Sequence, residues 1–220
     1  MNINIMFDII LSYFNAILES IYLSLFKVPQ YPFFTLIQMI WCVYQVRILY
    51  FDQKRKEIKI LSILKAILAI FLPRYIVSVF YRIQSPLSRS PQQIYSFLLI
   101  LCIFYLTPHN LTMKILSNRI VFFILAFLQG VNETRFLKMG YHYSKPSNGQ
   151  VVYLVFIIFL SSVPYLLYSY TSIFSFSIYF LICILYYVFR SYPEFSEFIS
   201  APYGPLLFSL IFSLFFNFMQ

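Results

Sequence analysis

Long apolar segments, separated by prolines or charged residues, constrain this chain more than any other feature. The first runs from Ile5 to Phe26, and seven follow: Phe33–Tyr50, Ile60–Tyr81, Gln93–Thr107, Arg119–Met139, Val151–Tyr170, Ile173–Phe189 and Tyr203–Met219. Most are close to the roughly 20 residues that a helix needs to cross a ~30 Å hydrocarbon core, although Gln93–Thr107 is short. The segments are too continuous for the alternating strands of a membrane barrel. The sequence therefore predicts an all-α integral membrane protein.

Composition agrees with this class. Hydrophobic residues make up 61% of the chain, charged residues make up 10%, and the mean hydropathy is +0.79. Soluble domains average about 25% charged residues, so this chain has too little charge to cover a water-soluble fold. Soluble enzymes and nucleic-acid-binding proteins are thereby disfavoured. The net charge of +9 predicts basic residues at helix ends and in loops, which makes the lipid bilayer the expected partner.

No pattern in the sequence predicts catalysis, a metal or a cofactor. The three cysteines, Cys42, Cys102 and Cys183, lie in apolar segments without the spacing of metal ligands. His109 and His142 lie far apart in loops, and neither an HExxH nor a GxSxG motif is present. We therefore expect that the protein is not an enzyme and needs no cofactor.

The N-terminal residues 1–27 form a segment of their own. Its polar side chains recur at intervals of four, three and four along an otherwise apolar helix: Asp8, Ser12, Asn15 and Glu19. Pro29 and Pro32 then end the helix. Such an amphipathic helix either lies in the membrane interface or leads into the first span with its polar stripe turned toward protein.

Two prolines lie near the middle of predicted spans. Pro73 precedes Arg74 and Tyr75 in one segment, and Pro164 follows Ser161-Ser162-Val163 in another. A proline inside a helix removes one hydrogen bond and frees the carbonyl four residues earlier. Carbonyls freed toward a wet lumen can bind a cation, whereas carbonyls satisfied by neighbouring helices only accommodate a bend. The predicted pore-lining residues are Pro73, Arg74, Tyr75, Ser78, Ser161, Ser162 and Pro164.

Arg74 is the sharper of these signals. Insertion scales give a free-energy cost of about 2.5–3.5 kcal/mol for an arginine near the centre of a membrane helix. An arginine at this depth is therefore a candidate functional residue. The alternative is a structural pairing with freed carbonyls or with an acid, and Glu133 is the acid placed within a span beyond the N-terminal segment. A fixed positive charge also repels a permeant cation unless it is neutralised.

The matching positions of Pro73 and Pro164 indicate an internal repeat. We predict one transmembrane domain over residues 28–220, with about seven helices arranged as two three-helix repeats plus a C-terminal helix. The first repeat covers about 28–110, the second about 111–190, and the final helix about 203–219.

Several short motifs strengthen this picture. They are Lys27-Val28-Pro29-Gln30-Tyr31-Pro32-Phe33-Phe34, Tyr75-Ile76, Pro86-Leu87 and Phe104-Tyr105-Leu106-Thr107-Pro108. The first resembles the basic–Val-Pro-x-aromatic-Pro-x-Phe sequence that leads into the first span of trimeric intracellular cation (TRIC) channels. The others resemble parts of that family's second and third spans. The resemblance covers the chain from about Phe26 onward.

The resemblance implies a homotrimer with one pore in each subunit, lined by the bent second and fifth helices. It implies passage of K⁺ as a counter-ion to Ca²⁺ movement across the endoplasmic or sarcoplasmic reticulum, and binding of an anionic phosphoinositide. The family's Lys-Glu-Val lipid motif falls on Gln129-Gly130-Val131. Arg135 matches a following basic residue, with Lys138 nearby, so these two are the predicted lipid-binding residues.

Two functional hypotheses follow. The first is a TRIC-like channel for monovalent cations in an intracellular membrane, most simply the endoplasmic reticulum, with a water-accessible path beside Pro73 and Pro164. The second is a non-conducting accessory subunit of a larger membrane complex, for example in the mitochondrial inner membrane, which would co-purify with other subunits in a fixed ratio.

Overall fold

The computed structural model describes residues 3–51, 59–80, 82, 91–144, 164, 172–192, 194–195 and 202–218 of the 220-residue chain. The α-helices in chain order are α1 (Ile3–Phe26), α2 (Thr35–Phe51), α3 (Lys59–Phe80), α4 (Gln92–Leu106), α5 (Leu111–Leu116), α6 (Arg119–Ser144), α7 (Ser172–Ser191) and α8 (Tyr203–Phe218). No strand occurs in these ranges, so the prediction of an all-α fold is confirmed. The predicted segment Val151–Tyr170 lies outside the described residues except for Pro164. The division into two repeats therefore stays a prediction.

Four helices of the described ranges are long and apolar enough to cross a membrane. Their spans are Met6–Phe26, Leu61–Val79, Arg119–Tyr141 and Ile173–Ser191. The apolar helices α4 and α8 are shorter, at 15 and 16 residues. The N-terminal helix α1 is one of the four, because its narrow polar stripe leaves it apolar enough to cross a membrane. Its length permits either a spanning or an interfacial position.

Prolines set several helix boundaries, as the sequence predicts. Helix α1 ends three residues before Pro29, and a single π-helical turn, Gln30–Phe34, connects it to α2. Helix α4 begins directly after Pro91 and ends before Thr107, whose extended backbone (φ −66°, ψ 126°) is the conformation favoured before a proline. By contrast, α3 continues for seven residues beyond Pro73. A proline inside this helix therefore does not end it.

Aromatic side chains join the helices in the core. The indole ring of Trp41 lies 5.6 Å from the ring of Phe122 and 4.8 Å from that of Phe216, measured between centroids. The ring of Tyr179 lies 5.3 Å from that of Phe212. These contacts link α2, α6, α7 and α8, and α2 also packs against α3 and α4. They fix how each helix is rotated about its axis, which decides the side chains that meet inside the bundle.

Helices α6 and α8 make the most extensive contact among the described helices, and Gly130 lies at its centre. A Cβ atom at Gly130 would lie 2.3 Å from the backbone oxygen of Ser209 and 3.3 Å from the Cβ of Phe212. One turn later, the Thr134 hydroxyl donates to the Gly130 carbonyl at 2.9 Å. Small residues let two membrane helices approach closely. This packing leaves no room for a side chain at position 130, where the family resemblance places an acidic residue.

Candidate functional site

A polar stripe lies on a face of α6 next to the one that contacts α8. Its polar side chains lie at positions i, i+3 and i+4 (Gln129, Asn132 and Glu133), and the aromatic Phe136 follows at i+7. These positions share one face of a helix. Gln129, Asn132 and Glu133 are 1%, 3% and 9% exposed, although they lie within an apolar span. Buried polar groups at this depth are costly unless they are hydrogen-bonded, so each one calls for a structural or functional reason.

The carboxylate of Glu133 accepts hydrogen bonds at both oxygens. The Gln129 side-chain amide donates to Oε1 at 2.6 Å, and the Tyr179 hydroxyl of α7 donates to Oε2 at 2.5 Å. Hydrogen bonds to a carboxylate are among the stronger ones in proteins. They hold the acid in one orientation and tie α6 to α7 at this level of the bundle.

Arg74 reaches the same region from α3. Its guanidinium Nη2 donates a hydrogen bond to the side-chain oxygen of Gln38 on α2. Arg74 is half-buried, and its neighbour Pro73 is buried. An amide partner orients the guanidinium but does not neutralise its charge. Among the described residues, the nearest opposite charge in the same region is the carboxylate of Glu133.

A cavity of about 30 Å³ lies among these residues. Its lining side chains are Gln38 of α2, Pro73 and Arg74 of α3, Asn132, Glu133 and Phe136 of α6, and Pro164. A cavity needs a volume of roughly 10–15 Å³ to hold one water molecule, so this cavity is large enough for a water or a small ion. The cavity therefore brings together the two prolines, one cationic side chain and one anionic side chain.

The side-chain oxygen of Asn132, which is 3% exposed, has no hydrogen-bond partner among the described residues. A buried acceptor without a donor costs on the order of 1–3 kcal/mol. Among the same residues, no cluster of three or more His, Cys, Asp or Glu side chains could hold a metal ion. The cavity instead offers amide and carboxylate oxygens, which suit a water molecule or a hard monovalent cation.

The structure places the predicted pore-lining residues differently from one another. Pro73, Arg74 and Pro164 line the cavity. Tyr75 is 52% exposed, and Ser78 donates its hydroxyl to the Tyr75 carbonyl at 2.7 Å. Neither belongs to the cavity lining. Ser161 and Ser162 lie outside the described residues. The role of this set in a pore stays a prediction.

The two predicted lipid-binding residues contact the N-terminal segment. The Arg135 guanidinium donates to the carbonyls of Leu25 at 2.8 Å and Val28 at 2.6 Å, near the end of α1. It also lies 4.4 Å from the ring centroid of Phe34. The Lys138 ammonium donates to the Tyr22 hydroxyl at 2.8 Å. Arg135 thereby satisfies carbonyls where helical hydrogen bonding ends. Lipid binding by these residues stays a prediction.

Sequence reasoning did not assign Gln38 or Asn132 to the site, and it considered Glu133 only as a partner for Arg74. A signal for the α6 residues was present, because three polar residues share one face of an apolar span. No comparable cluster marks Gln38, because the other amide of α2, Gln45, lies seven positions later. Its contribution depends on the packing of α2 against α3.

These features define a class: a multi-pass membrane protein, built from helices, with a small charged cavity inside the bundle. The comparison with solved structures agrees with a helical membrane fold. A solved structure described as a "Trimeric Intracellular Cation channel from C. elegans with bound Ca2+" is similar over 92% of this chain and 96% of that chain, with a TM-score of 0.66 and 14% sequence identity. The chain therefore has the fold of a TRIC channel, as the sequence motifs predict. No protein-family model and no curated protein matches the sequence.

Proposed function

We propose that this protein is a membrane channel for monovalent cations, and that the cavity between Pro73 and Pro164 lies on the route of the ion. The observation that carries the proposal is this cavity, where polar side chains from α2, α3 and α6 meet inside apolar helices. Polar groups at such depth are typical of ion pathways. Similarity in fold to a trimeric intracellular cation channel supports the same kind of function.

The chemistry of the cavity suits a cation that has lost part of its water shell. The amide oxygen of Asn132 and the carboxylate oxygens of Glu133 can replace water ligands, as carbonyl oxygens do in selectivity filters. The aromatic side chain of Phe136 lines the same space and can attract a cation to its ring face. Arg74 opposes the binding of a cation, because its positive charge raises the energy of a cation beside it.

The cellular setting belongs to the same proposal. We infer a homotrimer in an intracellular membrane, such as the endoplasmic reticulum, that passes K⁺ as a counter-ion. Anionic lipid would contact Arg135 and Lys138 at the end of α1. In this setting the lipid headgroup competes with the carbonyls of Leu25 and Val28 for the Arg135 guanidinium. Lipid regulation would therefore be coupled to the position of α1.

A second candidate is a non-conducting subunit of a larger membrane complex, for example in the mitochondrial inner membrane. Two observations favour it. Arg74 lies in the cavity, where its positive charge repels a permeant cation. The first half of α1 exposes large apolar side chains such as Phe7 and Tyr13, which are 63% and 68% exposed. Partner subunits or lipid could cover that surface.

Recordings from purified protein in planar bilayers test the proposal. Under asymmetric KCl, we expect currents that reverse near the K⁺ equilibrium potential. Asn132→Leu should remove most of the conductance, because it replaces a polar cavity side chain with an apolar one. Val79→Leu, a change at an exposed residue of α3 outside the cavity, should keep the wild-type conductance.

The opposite outcome is an intact oligomer with no K⁺ current at any voltage, which would contradict the channel. Isolation of the native protein in a fixed ratio with other membrane subunits would then support the second candidate. Isolation as a free homotrimer would count against that candidate.

A further inference from the structure

A cation and an anion from two different helices face one small cavity. Arg74 projects from α3 and Glu133 from α6, and both line the same space of about 30 Å³. Their charges cancel, so the cavity is close to neutral as a whole. A cation that enters is attracted by the Glu133 carboxylate and repelled by the Arg74 guanidinium across the same space.

A second observation points to a ligand. Asn132 lines the cavity, is 97% buried, and its Oδ1 has no hydrogen-bond partner among the described residues. Asn132 is adjacent in sequence to Glu133, whose carboxylate is held in place by Gln129 and Tyr179. A preorganised carboxylate beside an unsatisfied amide oxygen is an arrangement that a partly dehydrated monovalent cation can bind.

We propose that Asn132 and Glu133 form a binding site for a monovalent cation, and that Arg74 acts as a tethered competitor that keeps the affinity of this site low. The inference rests on the proposed channel function, because it names the residues that hold the ion in the conduction route and the residue that releases it. Conduction requires binding that is favourable enough for entry and weak enough for exit.

The electrostatic reason is direct. With Arg74 present, binding of K⁺ leaves a net positive charge in a region of low dielectric constant, which is unfavourable. Without the guanidinium charge, K⁺ would neutralise Glu133. Removal of the Arg74 charge should therefore tighten K⁺ binding by about tenfold or more.

The test is K⁺-dependent thermal stability of the purified full-length protein. Melting temperatures are measured in detergent over a series of KCl concentrations, with N-methyl-D-glucamine chloride keeping the ionic strength constant. A ligand that binds only the folded state raises the melting temperature according to its concentration and affinity. The half-saturating K⁺ concentration then reports the affinity of the site.

We expect Arg74→Gln to lower the half-saturating K⁺ concentration by about tenfold or more relative to the wild type. The double variant R74Q/E133Q should not show this higher K⁺ affinity, because the Glu133 carboxylate is the ligand. Arg82→Gln is the matched control, since it removes the same charge from an exposed position outside the cavity. It should behave like the wild type.

Three results would overturn the inference. The half-saturating K⁺ concentration could stay unchanged in R74Q, it could fall equally in R82Q, or it could still fall in R74Q/E133Q. The first would indicate that the cavity holds only water. If R74Q does not fold, Asn132→Asp serves instead, because it adds a negative charge at the proposed ligand position. An unchanged half-saturating concentration in N132D would contradict the site.

The same variants separate this inference from the channel proposal. If the wild type carries no current but R74Q gains K⁺ affinity, the ion site stands and the channel function fails. If the wild type conducts and R74Q shows no gain in affinity, the channel function stands and the assignment of Asn132, Glu133 and Arg74 fails.

Discussion

Single residues decide the chemistry of the cavity inside the bundle. Glu133 is visible in the sequence as an acid within an apolar segment, and Arg74 as a base within another. That both line one cavity could not be derived from the sequence, because it depends on how α3 and α6 are rotated about their axes. The hydrogen bond from Tyr179 to Glu133 joins residues 46 positions apart, and no local pattern predicts it.

At this scale we predict that Tyr179→Phe destabilises the protein. The change keeps the buried ring and removes the hydroxyl that donates to Glu133 at 2.5 Å. Loss of a hydrogen bond to a charged group typically costs about 1.5–3 kcal/mol. Tyr75→Phe makes the same chemical change at an exposed side chain and should alter the melting temperature little. Equal melting temperatures for the two variants in detergent would contradict the role given to Tyr179.

Helices were the level at which the sequence was most informative. Six apolar segments after the N-terminal one correspond to α2, α3, α4, α6, α7 and α8, because prolines and polar turns delimit them. Helix α3 continues through Pro73, as the position of this proline inside the segment Ile60–Tyr81 predicts, since a neighbouring bundle can support a helix at a proline. One feature was not predictable. The close contact of α6 with α8 at Gly130 depends on tertiary packing, which a glycine in an apolar run does not reveal.

For this helix pair we predict that Gly130→Ala lowers stability. Alanine is favoured over glycine in a helix by about 0.8–1.0 kcal/mol, so the substitution would stabilise an uncrowded helix. Here the new methyl group would lie 2.3 Å from the Ser209 backbone oxygen, and α6 and α8 must move apart. Overpacking typically costs about 1–3 kcal/mol, so the packing cost should exceed the propensity gain.

Thermal unfolding in detergent shows directly whether Gly130→Ala raises or lowers the stability of the protein. A lower melting temperature than the wild type agrees with the close helix contact. A higher melting temperature would mean that the helix propensity dominates and that α6 and α8 are not tightly packed at this point.

The whole molecule shows that a fold can be shared by two chains with few identical residues. Its similarity to a trimeric intracellular cation channel extends over 92% of the chain although only 14% of residues are identical. The lengths of the segments, the proline positions and the lead-in motif at Val28–Pro32 carry the resemblance. The charged residues of the cavity did not contribute to it. The fold was therefore predictable from the sequence, whereas the arrangement of Gln38, Arg74, Asn132 and Glu133 required coordinates.

Accessibility of the cavity to a charged reagent tests the account most directly. Asn132→Cys would be placed in a background in which Cys42, Cys102 and Cys183 are replaced by alanine, and K⁺ flux would be measured in proteoliposomes. A cationic methanethiosulfonate forms a mixed disulfide with the new thiol, releases a sulfinate, and leaves a fixed positive charge in the cavity. We predict that this modification abolishes most of the K⁺ flux, while Val79→Cys, at an exposed position outside the cavity, keeps its flux in the same background. Wild-type flux through fully modified Asn132→Cys protein would contradict an ion route through this cavity.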